Sequence, residues 1–194
     1  MIQLFLEVKY AHDKLKLYMY VHNQFVDYPK TQAIASSFFA LSMNALQNDS
    51  IISTAKLFDK GNKSYGTIHK FFQLIEVNAD LFQNDKKRVL KEIPTHQKFY
   101  EEKALLLQNL LTWRNKHFAH PDKNYFLDKD RLKLGEDAPI LYGDLPDLLQ
   151  KSVDIINFYS EALCKNHHIL KDPEIERHVD DLFRILNDHL DRKT

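Results

Sequence analysis

Cysteine is almost missing from this 194-residue chain, with Cys164 the single example. That excludes an intrachain disulfide framework and any zinc site built on several thiolates. Glycine (4) and proline (6) are scarce as well, which disfavours a turn-rich β fold and favours long helices. An excess of either charge is lacking too. Lys plus Arg and Asp plus Glu number 27 each, so no global field draws the chain onto nucleic acid or acidic membrane, and any polyanion site has to be local. No apolar run approaches the roughly 20 residues of a membrane span. The opening MIQLFLEVKYAHDK has no basic start followed by an apolar core and a small-residue cleavage site. A soluble, cytoplasmic protein without membrane attachment is expected. With 44% apolar residues, the chain can bury a sizeable core, and residues 1–194 are expected to form a single domain.

What is present is helical periodicity. Residues 3–26 offer Phe5, Val8, Leu15, Tyr18 and Val21 as one face. After a break at Asp27–Thr31, residues 32–58 read as a second helix, with Ala35, Phe38, Phe39, Ala45, Ile52, Ala55 and Phe58 near one seam and a possible bend at Gln47–Ser50. Asp59–Asn62 punctuates its end, and Ser64 can cap a third helix reaching about Val77. A short helical piece over 79–92 ends at Ile93–Pro94, and a long helix follows from about Thr95 to Ala119. Residues 121–143 lack clear periodicity, and a connection that long is usually functional or mobile. Two more helices start at Asp144–Pro146 and Asp172–Pro173. The sum is an all-α bundle of five to six helices.

The stretch from Tyr100 to Asp122, YEEKALLLQNLLTWRNKHFAHPD, is the one the rest is organised around. Ala104, Leu107, Leu111 and Phe118 recur at helical steps, and Arg114 falls on the same stripe. A guanidinium there keeps its charge and needs a carboxylate, a phosphate or a water-filled cleft. Asp59 is the carboxylate expected to pair with it. His120 precedes Pro121, which biases the helix to stop near Ala119 or His120. On an unbroken helix Arg114 and His120 would lie about 120° apart around the axis, whereas a helix ending there can turn the imidazole back toward the arginine. From Arg114 to Lys133 six Lys/Arg face three Asp, a modest basic patch.

Arginine binds phosphate through paired donors and stabilises extra charge on a phosphorane-like transition state. Histidine gives and takes protons near neutral pH. Together they suffice for metal-independent RNA cleavage in which the substrate's 2′-hydroxyl attacks the adjacent phosphate. Asn115 can orient either partner. Spacing alone is weak evidence, since Arg184 and His189 repeat it on a terminal helix without the proline or the asparagine. His117, His120 and Asp122 could share a metal, but no further ligand is defined, so neither metal nor cofactor is expected.

WRNKHFAHPD at a helix end in an all-α chain resembles the RNxxxxH-type motif of the HEPN superfamily. The upstream SIISTAKLFDKGNKSYGTIHKFFQLI (residues 50–75) resembles the helix, LFD-like turn and helix of its AbiU-type abortive-infection branch. The likeness spans roughly residues 30–165, with the strongest local matches at 53–60 and 113–122. It implies a HEPN-like helical bundle that forms a homodimer, pairing two motifs at one cleft, and a metal-independent ribonuclease acting as toxin or phage-defence effector. Arg114 would then polarise the phosphate, His120 serve as general acid/base and Asn115 assist, with Lys116, His117 and Asp59 as binding or cleft-lining residues. RNA is the implied substrate, and a nucleotidyltransferase antitoxin is a possible partner. The alternative is a non-catalytic module of the same fold, whose cleft binds RNA, a nucleotide or a protein.

Overall fold

Helix α1 runs from Ile2 to Asp27. Its Leu4, Val8, Ala11 and Leu15 follow at four- and three-residue steps, and this stripe is buried. This computed structural model describes residues 1–61, 65–119, 132–170 and 173–192. After Tyr28, Pro29 opens the short α2 (Pro29–Ile34), where a proline costs no hydrogen bond. A non-helical Ala35 (φ −127°, ψ 44°) separates it from α3 (Ser36–Leu57). The second helix expected from the sequence is therefore two pieces, and α3 runs straight through Gln47–Ser50. Ser50 is buried, and its hydroxyl donates to the Gln47 carbonyl at 2.8 Å. The seam of α3 also differs from the expected one. Phe39, Ile51, Thr54, Ala55 and Leu57 are inside, while Phe38 is 64% exposed.

Thr67 caps α4 (Ile68–Val77), its Oγ1 accepting from the Lys70 N–H at 3.2 Å. The cap expected at Ser64 lies outside the described residues. A 3-10 helix, Ala79–Asp85, carries Gln83 at φ 43° and leads into α5 (Lys86–Glu102). Here the expectation fails. Instead of stopping at Ile93, α5 continues through Pro94. Val89, Ile93 and Tyr100 all face inward, and their burial outweighs the one backbone hydrogen bond a proline removes. The break comes at Lys103 (φ −95°, ψ 13°), and α6 (Ala104–Trp113) starts beyond it.

Arg114–Ala119 continues α6 as a π-helical turn. Helix α7 (Leu132–Asp137) lies within the stretch that showed no periodicity. With six residues it is too short to print a period, yet Leu134 and Ala138 are buried. Helix α8 (Asp144–Cys164) is the most buried element, carrying Leu145, Leu148, Leu149, Ile155, Ile156 and Tyr159 inward. Helix α9 (Pro173–Asp191) closes the chain. Among the described residues there is no strand, and no helix is long and apolar enough to cross a membrane.

Helix α1 packs along α3 and across α8, α6 packs on α3, and α9 lies over α1 and α2. The main core joins α1, α3, α4, α5 and α8 through an aromatic group, Phe71, Phe72, Tyr100 and Tyr159. A smaller core of Val21, Phe39, Val179 and Phe183 holds α9 in place. The architecture is an all-α bundle, with α6 and its π turn at one side against the end of α3.

Candidate functional site

The site grows from the two faces of α6. Asn109 and Leu110 form its buried face. Asn109 Nδ2 donates to the Pro139 carbonyl at 2.8 Å, and Trp113 Nε1 donates to the Ala138 carbonyl at 2.7 Å. These two bonds clasp α6 to the chain that follows α7. The stripe expected to be the inner seam, Ala104, Leu107 and Leu111, instead lines an open groove. Trp113 is partly buried against the core, as befits an indole whose N–H is satisfied.

At the end of α6 the backbone widens into the π turn, a local geometry common at functional sites. Arg114 opens it. Its Nη1 donates to Asp59 Oδ2 at 2.8 Å, and its Nε donates to Asn115 Oδ1 at 3.0 Å. Asp59 is held in turn by its own loop, because Oδ1 accepts from the Gly61 N–H at 2.9 Å. The two carboxylate oxygens thus do separate jobs, one closing the turn after α3 and one aiming the arginine. Side-chain exposures of 20% for Arg114 and 26% for Asp59 put the pair below the surface, where charge screening is weaker. The bonds to Asp59 and Asn115 use two of the five N–H donors of the guanidinium. The fork is therefore oriented while donors remain for an oxyanion.

Beside this pair lies a groove of about 650 Å³, walled by α4, α5 and α6 and reaching Asn115. Ile68, Phe72, Leu107 and Leu111 supply its apolar lining, and Lys60, His69, Gln97, Glu101, Gln108 and Thr112 its polar lining. Sequence reasoning did not single out this polar set. Part of the signal was present: at 100° per residue, Gln97, Glu101, Gln108 and Thr112 fall within a sector of about 60°. It was hidden because the neighbouring apolar stripe read as core.

The structure therefore brings Arg114, Asn115 and Asp59 together, although Asp59 lies 55 residues from Arg114 in sequence. Lys116 is exposed on the π turn. Only the backbone of His117 is described, and His120, with Asp122 and three of the six cations of the basic patch, lies outside the described residues. Lys133, the last of that patch, is exposed on α7. The second Arg–His pair is separate from all this, with Arg184 bonded to Asp181 on the outer face of α9. Among the described residues no cluster of three His, Cys, Asp or Glu side chains could hold a metal.

Two of the described histidines elsewhere are built into the core packing. His96 Nδ1 lies 2.9 Å from Tyr159 Oη, and burial pushes the imidazole below its ordinary range, with Glu92 opposing and Lys151 adding. His168 stacks on Phe5 at 4.5 Å, and its backbone N–H donates to Asn157 Oδ1 at 2.7 Å. His167, by contrast, is exposed and faces Glu161.

Compared with known proteins, the chain matches a family model, the HEPN_AbiU2 model described as AbiU2, over residues 1–182. No curated protein matches it, and no solved structure does. The match begins nearer the N-terminus and ends nearer the C-terminus than the likeness legible around the two local motifs.

Proposed function

Since the chain belongs to the AbiU2 family of HEPN domains, the AbiU-type abortive-infection branch, we propose that it is a metal-independent endoribonuclease of a phage-defence or toxin system. The observation that carries this reading is Arg114, tied through Nη1 to Asp59 and through Nε to Asn115 and standing six positions before His120. In the proposed reaction the 2′-oxygen of the substrate attacks the adjacent phosphorus while its proton passes to a base. The P–O5′ bond breaks, and the departing 5′-oxygen takes a proton from an acid. Products are a 2′,3′-cyclic phosphate and a free 5′-hydroxyl. Arg114 offsets the charge that grows on the non-bridging oxygens, and His120 moves the protons. No step asks for a second nucleophile, because the substrate supplies it.

One arginine and one histidine per chain are few for two proton transfers, and a homodimer would double both at a shared cleft. An antitoxin such as a nucleotidyltransferase would restrain the enzyme until infection. The experiment is cleavage of total cellular RNA with chelator present, comparing wild type with Arg114→Ala and His120→Ala. Cyclic-phosphate ends from wild type and their loss in both variants are expected. Equal cleavage by all three would end the ribonuclease reading.

One observation favours a second reading. The Asp59–Arg114 ion pair is also what a structural arginine would make, so the same fold could bind RNA, nucleotide or protein without cutting. Folded wild type that binds RNA and leaves it intact would support that.

A further inference from the structure

The groove between α4, α5 and α6 shares Asn115 with the arginine site, so whatever occupies it lies next to whatever Arg114 holds. Its chemistry is mixed in a specific way. Leu107 and Leu111 offer an apolar wall, while Gln97 and Glu101 of α5 and Gln108 of α6 bring two carboxamides and a carboxylate to the same groove. Among the described residues, no hydrogen bond or ion pair engages the side chains of these three, nor that of Lys60 at the groove's margin. One lysine faces one glutamate in the lining, so the groove suits a neutral, flat ligand better than a second phosphate. Its volume falls in the range of small-ligand sites, roughly 300–1,000 Å³.

Building on the ribonuclease reading, we infer that this groove takes the unpaired nucleobase beside the phosphate at Arg114 and reads its amino edge through Glu101, Gln97 and Gln108. A glutamine can bond both N6 and N7 of adenine, and a carboxylate accepts from the N4 amino group of cytosine. Uracil has no amino donor to give Glu101. Adenine and cytosine are therefore preferred over uracil. A second protein chain fits less well, because a close-packed helix would cover Lys60, Glu101 and both glutamines and would have to supply a partner for each of them.

The test uses the full chain and 2′-O-methyl tetranucleotides of A, C and U, which lack the attacking hydroxyl and so report binding alone. Wild type is expected to bind the A and C oligomers about tenfold tighter than the U oligomer, the scale of one good base contact. Glu101→Ala should erase the difference between C and U. Leu107→Trp, which fills the groove, should weaken A binding about tenfold or more, the loss of at least one such contact. Equal binding of all three oligomers by wild type would overturn the inference, as would an A, C and U preference untouched by either variant. So would loss of binding in Leu107→Trp that coincides with a fall from dimer to monomer in light scattering, because the groove would then be a chain–chain interface. Cleavage of ordinary RNA is scored separately. Cleavage without base-selective binding removes the groove assignment and keeps the ribonuclease. Base-selective binding without cleavage does the reverse.

Discussion

Asp59 holds Arg114 at 2.8 Å while its other oxygen closes the turn to Gly61, so the end of α3 and the end of α6 meet in one carboxylate. The pair sits mostly out of water, and removing either member leaves the other with less compensation. In urea denaturation, a double-mutant cycle of Asp59→Ala and Arg114→Ala should show a coupling of about 0.5–3 kcal/mol. Simple additivity would mean that the contact carries no energy.

Arg114→Lys separates charge from geometry. A lysine restores the positive charge but has no planar fork to satisfy Asp59 and Asn115 together. If Arg114 works as proposed, RNA cleavage should fall by about 10²–10³-fold even in this variant, with an unchanged circular dichroism spectrum. Activity near wild type in Arg114→Lys would show that charge alone suffices.

The two faces of α6 predict opposite sensitivities. Leu110 is fully buried, whereas Leu111 lines the groove and is only partly covered. Leu110→Ala should cost about 2–5 kcal/mol. Leu111→Ala should cost clearly less, about 1 kcal/mol. Thermal and urea unfolding of the two variants measure this directly, and equal costs would argue that both faces are core.

Acid should destabilise the fold through its histidines. Burial lowers the imidazole of His96 below its ordinary value, and the same holds for His12 and His168. Below about pH 6.5 the unfolded chain binds protons that these neutral rings refuse, so stability falls as pH drops through that value and is regained above it. Replacing His96 by Gln should flatten the slope of urea midpoint against pH between about 6.5 and 5. An unchanged slope would place the acid sensitivity elsewhere.

Pro94 interrupts the hydrogen-bond ladder inside α5. Pro94→Ala should therefore raise stability by about 1–3 kcal/mol. A loss in the urea midpoint would show that the proline's fixed backbone angle aids packing of Ile93 and Tyr100.

Much of this was legible from residue types. The scarcity of glycine and proline foretold the all-α fold, and the starts at Asp144 and Pro173 fell where the prolines placed them, whereas the helix opening at Pro29 lies in what read as a break. The Asp59–Arg114 pair was also foreseeable, because a carboxylate is one of the few surroundings that suit a guanidinium on an apolar stripe. Three features were not. Pro94 read as a stop, but tertiary burial of Val89 and Ile93 overrides local propensity. Helix α7 is shorter than the window over which periodicity can be seen. The groove escaped notice because Leu107 and Leu111 have the same spacing whether they face a core or a cleft, and only the neighbours from α4 and α5 decide which.

The clasp formed by Asn109 and Trp113 on the carbonyls of Pro139 and Ala138 has a consequence for how such a chain diversifies. Trp113 Nε1, at the end of α6, reaches a carbonyl 25 residues later in sequence. Both acceptors are main-chain carbonyls, so neither bond depends on which side chains stand at 138 and 139, whereas Asn109 and Trp113 supply the donors themselves. Variation is therefore tolerated more readily on the accepting side of the clasp than on α6.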